Sequence, residues 1–153
     1  MSGSAWLLAT ANVPRERRRR AEVRTRANLD ATFIMDIRLK RAYDPATSTD
    51  GCRVLIDRLW PRGISRERAK LDDWEKELPP STELRQWFGH DPKRFEEFRQ
   101  RYIEELRSQR PRLTALRRRA RQGTLTLVYS AHDTEHNDAL VLAEVLRRGL
   151  PKG

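Results

Sequence analysis

The sequence predicts a small layered α/β domain with a short, mainly parallel sheet and flanking helices. Three observations carry this expectation. Short apolar runs of strand character stand around Ile37, Leu55 and Leu127. A long helical stretch separates the second run from the third, and another amphipathic helix follows the third at once. Parallel strands need a crossover of a dozen or more residues, which a helical stretch supplies.

The elements follow in order. Met35, Ile37 and Leu39 alternate with polar residues, the spacing of a half-buried strand running into Arg41-Ala42-Tyr43-Asp44. The turn-rich stretch from Pro45 to Gly51 ends that unit. Val54-Leu55-Ile56 reads as a second strand buried on both faces, and Pro61 and Gly63 force a loop after it. Asp72 and Glu75 have the spacing of a capping box, which predicts a short helix over 73–78. Pro79-Pro80 ends it. Ser81 can cap the next helix, which carries Leu84, Trp87 and Phe88 and stops at Gly89.

Asp91-Pro92 then starts a helix with Phe95, Phe98, Tyr102 and Leu106 on one stripe. Pro111 opens another through Leu113, Leu116 and Ala120, closed by Gly123. Residues 124–129 read as the third strand. Residues 135–148 form the last helix, with Ala139, Leu140, Ala143 and Leu146 on its apolar face, ended by Gly149 and Pro151. Trp74, Trp87, Phe95 and Phe98 are expected in the core on helices.

Composition narrows the class. The 153 residues suit one domain, and the single cysteine, Cys52, cannot form an internal disulfide. No stretch approaches the ~20 apolar residues of a membrane-spanning helix. The formal net charge is +10, and dividing it at Met35 assigns +4 to residues 1–34 and +6 to the remainder. Residues 1–34 read as a disordered Arg-rich N-terminal extension and 35–153 as the folded domain. The apolar piece Trp6–Ala9 precedes the Arg15–Arg20 cluster, the reverse of a secretory signal.

Chemistry-bearing residues gather just after each predicted strand. Arg41 and Tyr43 follow the first, and Asp57, Arg58, Trp60 and Arg62 the second. Ser130, His132, Asp133, His136 and Asn137 follow the third. Ligands of open α/β sheets bind beyond the carboxyl ends of the strands, so parallel strands would bring these residues to one rim. Arg41, Arg58 and Arg62 offer planar forks for phosphate or carboxylate. Trp60 could stack on a base or sugar, and the start of the last helix favours an anion. Tyr43 and Asn137 complete the expected ligand-binding set, with His136 or Asp57 as general acid or base if chemistry occurs.

Blander readings stand beside these. Asp57 with Arg58, and Arg41 with Asp44, could be ion pairs across the sheet end, and Asp133 a helix cap. His90, His132 and His136 lack a third obvious ligand for zinc, so no metal is expected. Neither a G-x-S-x-G elbow, a Walker loop nor a G-x-G-x-x-G fingerprint is present, and no cofactor is implied. Cys52 falls away from the rim.

Lys40-Arg41-x-Tyr43-Asp44, Asp50-Gly51-x-Arg53-Val54-Leu55-Ile56-Asp57-Arg58-Leu59-Trp60-Pro61-Arg62-Gly63 and Tyr129-Ser130-Ala131 to His136-Asn137 form a recognisable set. It resembles the YeaO-like branch of the bacterial domain-of-unknown-function family 488. The resemblance runs from Met35 to about Leu150 and implies an α/β domain in a bacterial cytoplasm, starting near Met35. It implies no particular activity, and it leaves open whether the chain is an enzyme. The expected partner is a small phosphorylated or nucleotide-like ligand at the Arg-rich rim. The alternatives are a nucleic-acid-binding protein using the basic leader and Arg117–Arg119, and a scaffold whose rim is an internal salt-bridge network.

Overall fold

A computed structural model describes residues 35–152, which belong to a compact unit beginning at Met35. The Arg-rich extension over residues 1–34 lies outside the described residues, as does Gly153. Strands β1 (Ile37–Arg41), β2 (Cys52–Leu55), β3 (Asp73–Trp74) and β4 (Leu125–Tyr129) make one sheet in the order β1-β4-β2-β3. Every pairing is parallel. The helices are α1 (Arg66–Ala69), α2 (Thr82–Phe88), α3 (Phe95–Leu106), α4 (Arg110–Gln122) and α5 (Asp138–Arg148). The expected class, a small α/β domain with a parallel sheet and flanking helices, is the architecture found.

The sheet order explains the strand patterns. β4 lies between β1 and β2 and is buried along its whole length, as a central parallel strand must be. Leu127 is paired with Leu39 on one side and Val54 on the other, an apolar row across the sheet. β1 is an edge strand, and its alternation leaves Arg38 and Lys40 on the face away from Ile37 and Leu39.

The two faces differ. On one, Ile37, Val54, Ile56, Leu125, Leu127 and Tyr129 meet the helices through Phe98, Tyr102, Leu106, Leu116, Leu142 and Leu146. Burying each large side chain contributes ~1.5–3 kcal/mol, so this face supplies most of the apolar stabilisation. The other face carries the smaller cluster of Ala42, Leu55 and Val128, covered by Trp60, Leu71 and Trp74, together with buried Asp50, Arg53 and Thr126.

Local chemistry sets the element ends. Ser65, Ser81 and Asn137 accept from the backbone N–H of Arg68, Leu84 and Leu140, capping α1, α2 and α5. Gly51 enters β2 with φ +63°, and a Cβ there would collide with the Thr124 carbonyl. Only glycine fits that approach.

Four expectations need correction. The stretch 73–78 is not a helix: it begins with the two-residue strand β3 and continues as bends. The Asp72 carboxylate accepts from the Arg53 N–H at 2.8 Å, and the Asp72 and Glu75 N–H groups donate to Arg53 and Leu55 carbonyls. Pairing with the open edge of β2 therefore outcompetes the local cap, and Trp74 packs on the loop-covered face rather than on a helix. The last helix starts at Asp138, not residue 135, because Asn137 is its cap. Asp133 instead closes the preceding turn, accepting from the N–H groups of Glu135 and His136.

Candidate functional site

Since the strands are parallel, their carboxyl ends share one rim, and the residues after β1, β2 and β4 stand side by side there. At its middle, Asp57 Oδ2 accepts from the Ser130 N–H at 2.9 Å, tying the end of β2 to the end of β4. Trp74 Nε1 donates to the Asp57 carbonyl at 2.6 Å. Burial pushes the Asp57 carboxyl above its ordinary value, opposed by hydrogen bonds from Ser130 and the positive charge of Arg85.

The second carboxyl of this place is Asp138, the first residue of α5. Burial pushes it up to about 7, and the negative charge of Asp57 adds to that; Arg85 and the backbone N–H groups of Ala139 and Asp138 oppose the rise. Two neighbouring carboxyls in a partly dry site resist carrying two negative charges together. Below them, the Tyr102 hydroxyl donates to the Leu78 carbonyl at 2.7 Å. Burial, then the charges of Asp138 and Glu105, raise that phenol well above its usual value.

His136 lies in the turn before α5. Its Nδ1 contacts Asp133 Oδ2 at 3.0 Å, and its ring packs edge-on against Phe95 with centroids 5.2 Å apart. Hydrogen bonding from the Glu135 N–H, and then from His136, holds the Asp133 carboxyl below its ordinary value despite some burial. The ring orientation is thus set by a carboxylate, the arrangement a histidine base needs. Asn137 is spent on structure: its Oδ1 accepts from the Leu140 N–H at 2.9 Å and its Nδ2 donates to the Asp133 carbonyl at 2.8 Å.

The arginines behave differently from the expected row of open forks. Arg41 Nε donates to the Ala131 carbonyl at 2.9 Å, its Nη2 lies 3.3 Å from His132 Nδ1, and its guanidinium sits over the Tyr43 ring. Arg58 donates to the carbonyls of Pro80 and Pro79 at 3.0 and 3.3 Å. Both therefore satisfy main-chain carbonyls at the sheet end. Neither Asp57 with Arg58 nor Arg41 with Asp44 forms an ion pair among the described residues, so the expected salt-bridge network across the rim is not the arrangement found. Arg62 is exposed, and among the described residues it forms no hydrogen bond or ion pair.

The expected ligand set is also divided by the sheet. Trp60 belongs to the cluster with Leu55 and Val128, whereas Tyr102 and α5 pack on the opposite face. Its Nε1 donates to the Ile64 carbonyl at 2.6 Å and its ring meets Trp74 edge-on. The charges of Asp57 and Arg85 both act on Asp138, the Ser130 N–H bonds Asp57, and Trp60 and Arg62 lie further along the loop that follows β2. Asp138 and Arg85 were missed. An acidic residue in a first helical turn reads as a complement to the helix dipole, and an exposed arginine on a short helix reads as solubility.

Elsewhere, Cys52 stands at the opposite end of β2 from Asp57, its Sγ 3.7 Å from Arg119 Nη1. Arg117 donates to the Leu146 carbonyl and Arg119 to Asp73, so within the Arg117–Arg119 run only Arg118 is fully exposed. Among the described residues no group of three or more His, Cys, Asp or Glu could hold a metal ion. No helix among them is long and apolar enough to cross a membrane.

Residues 36–152 match a family model described as "Inactive DUF488-N3 subclade". The chain is 48% identical over 113 residues to "Uncharacterized protein YeaO" of Escherichia coli strain K12, covering 74% of this chain and 98% of that protein. It is 39% identical over 110 residues to "Uncharacterized protein Mb3100c" of Mycobacterium bovis and to "Uncharacterized protein Rv3073c" of Mycobacterium tuberculosis, covering 72% of this chain and 92% of each. No solved structure matches it. With both the family model and a near-full-length relative covering the whole sheet and its helices, the chain belongs to the YeaO-like branch of the bacterial DUF488 family.

Proposed function

We propose that this protein is a cytoplasmic binding protein for a phosphorylated or nucleotide-like ligand, taken at the rim where Asp57, Asp138 and Arg85 meet. The observation that carries this reading is the Asp57–Asp138 pair. Burial and the charge of Asp57 raise the Asp138 carboxyl to about 7, so the two acids can offer a hydroxyl donor as well as carboxylate acceptors. That combination complements a nucleobase edge or a sugar diol, each of which offers donors and acceptors together. Arg85 acts on both carboxyls through its charge, and its exposed guanidinium suits a phosphate.

His136 lies in the turn leading into Asp138, positioned to add a hydrogen bond to the ligand. The family description "inactive" agrees with binding without turnover, and no reaction is assigned. Arg41, Arg58 and Asn137 serve this site by holding its loops through main-chain bonds.

The test is calorimetric titration of the full chain with nucleoside mono- and diphosphates and sugar phosphates at pH 7. At least one is expected to bind, and to raise the unfolding free energy by ~2.7 kcal/mol at a hundredfold excess over Kd. Asp138→Asn and Arg85→Ala are each expected to weaken that binding at least tenfold. Binding by none of these ligands, or undiminished binding to both variants, overturns the reading.

A further inference from the structure

We infer that the loop from Arg58 to Arg68 is a preformed docking element for a partner protein presenting an acidic segment beside an apolar cleft. The inference stands apart from the rim reading, because its two recognition residues, Leu59 and Arg62, are not among those acting on the Asp57 and Asp138 carboxyls.

The loop is held from within at nearly every position. Arg58 is anchored to the carbonyls of Pro79 and Pro80. Trp60 Nε1 closes the loop on the Ile64 carbonyl at 2.6 Å, and the Ile64 N–H returns to the Pro61 carbonyl. Pro61 and Ile64 are buried. Ser65 caps α1, and Arg68 donates to the Tyr43 carbonyl. Trp60 is clamped with the Arg66 guanidinium 5.4 Å from its ring centroid and Trp74 at its side, 5.5 Å between centroids.

Among the described residues, three side chains stand outside this network, the carboxylate Glu67 and the two that make the proposed contact. Leu59 is 73% exposed, the outlying value among the large hydrophobic residues described. Arg62 is exposed and, among the described residues, forms no hydrogen bond or ion pair. A Cβ on the neighbouring Gly63, at φ +76°, would meet nothing within 4 Å, so the outer side of the turn is open. One exposed leucine is ordinary on a protein surface. Here it stands with Arg62 on a braced loop, so docking orders little further main chain. Preorganisation of that kind is what a binding loop needs.

Charge selects the partner. Arg62, Arg66, Arg68 and Lys70 are exposed against Glu67 alone in this segment, so the surface is cationic. Two copies of it would repel, which argues against self-association through this loop. The Trp60 ring is already engaged by Arg66 and Trp74, and Leu59 has no π face, so a nucleobase finds no stacking platform. An acidic protein segment with an apolar cleft satisfies both the guanidinium and the leucine.

The experiment uses the full chain and fluorescent peptides rich in Glu and Asp that carry Leu, Phe or Trp. Controls are the same peptides with serine at the apolar positions, and oligo(dT). The acidic-apolar peptides are expected to bind, the serine controls at least tenfold more weakly. Leu59→Ser and Arg62→Glu are each expected to lower affinity at least tenfold with the thermal midpoint unchanged. Absence of peptide binding at millimolar concentration, equal binding by both variants, or tighter binding of oligo(dT) overturns the inference. Failure here leaves the rim reading standing, since neither residue contributes to the Asp57–Asp138 pair.

Discussion

Asp50 and Asp57 stand near opposite ends of β2, and their surroundings move their carboxyls in opposite directions. Asp50 is 5% exposed. Burial pushes its carboxyl up, but bonds from the Thr47 N–H, Lys40, the Thr47 hydroxyl and Arg53 outweigh that and hold it far below the ordinary carboxylate range. The Lys40 and Arg53 contacts are 3.0 and 2.6 Å. At the other end, Asp57 and Asp138 accept hydrogen bonds from Ser130 and from backbone N–H groups, but the cation opposing their rise is Arg85, acting at a distance, and both carboxyls rise. Burial is common to the two ends; the availability of a bonded cation is not. A satisfied buried carboxylate is an architectural part, whereas a half-satisfied pair at a rim retains capacity for something else.

The largest effect should come from breaking the amino-end network. Asp50→Ala strands Arg53 and Lys40 without their anion and is expected to cost on the order of 3–5 kcal/mol in urea unfolding. An unchanged midpoint would show that this end does not depend on the pairing. The same network sets the acid limb: a carboxyl lowered by folding stabilises above its ordinary value of 3.8, and the benefit disappears as pH falls below that. Asp50→Asn should therefore flatten the loss of stability measured below about pH 4.

The carboxyl end should respond with the opposite sign. Asp138 has its folded value raised to about 7 from 3.8, so its contribution is complete below 3.8 and is lost as pH rises through 7. Asp138→Asn is expected to stabilise the protein by on the order of 2 kcal/mol at pH 8 and by little at pH 4, a figure discounted for partial solvent access. Urea titrations at the two pH values check this, and a loss of stability at pH 8 would break the contrast. The smallest effect belongs to Thr126→Val, which removes the 2.6 Å bond to the Asp50 carbonyl. It should cost about 1 kcal/mol by the same measurement.

Much of the fold was readable because it depends on local periodicity. The stripe Phe95, Phe98, Tyr102 and Leu106, the Ser81 cap and the buried run of β4 each carry their own signal. The failure at 73–78 has a specific cause. Asp72 and Glu75 have cap spacing, but the open edge of β2 offered backbone partners that no local pattern reveals. The rim shows the same limit. Its position beyond the strand ends follows from the predicted parallel order, and Asp57 was picked out from its place after β2. The pairing of Asp57 with Asp138, 81 positions apart in the chain, depends on how α5 returns across the sheet.

Short-range chemistry in the chain thus dictated the class of fold, most element types and the family through its Asp57–Gly63 block. Packing decided what each polar side chain does. Arg41 and Arg58 look alike as candidate phosphate forks, yet both turn to main-chain carbonyls left open at the sheet end. Asp50 and Asp57 are the same residue seven positions apart, and only their neighbours in space make one an anchor and the other half of an acid pair. The physical reason is that proton affinity depends on desolvation and on the nearest charges, which the folded arrangement supplies.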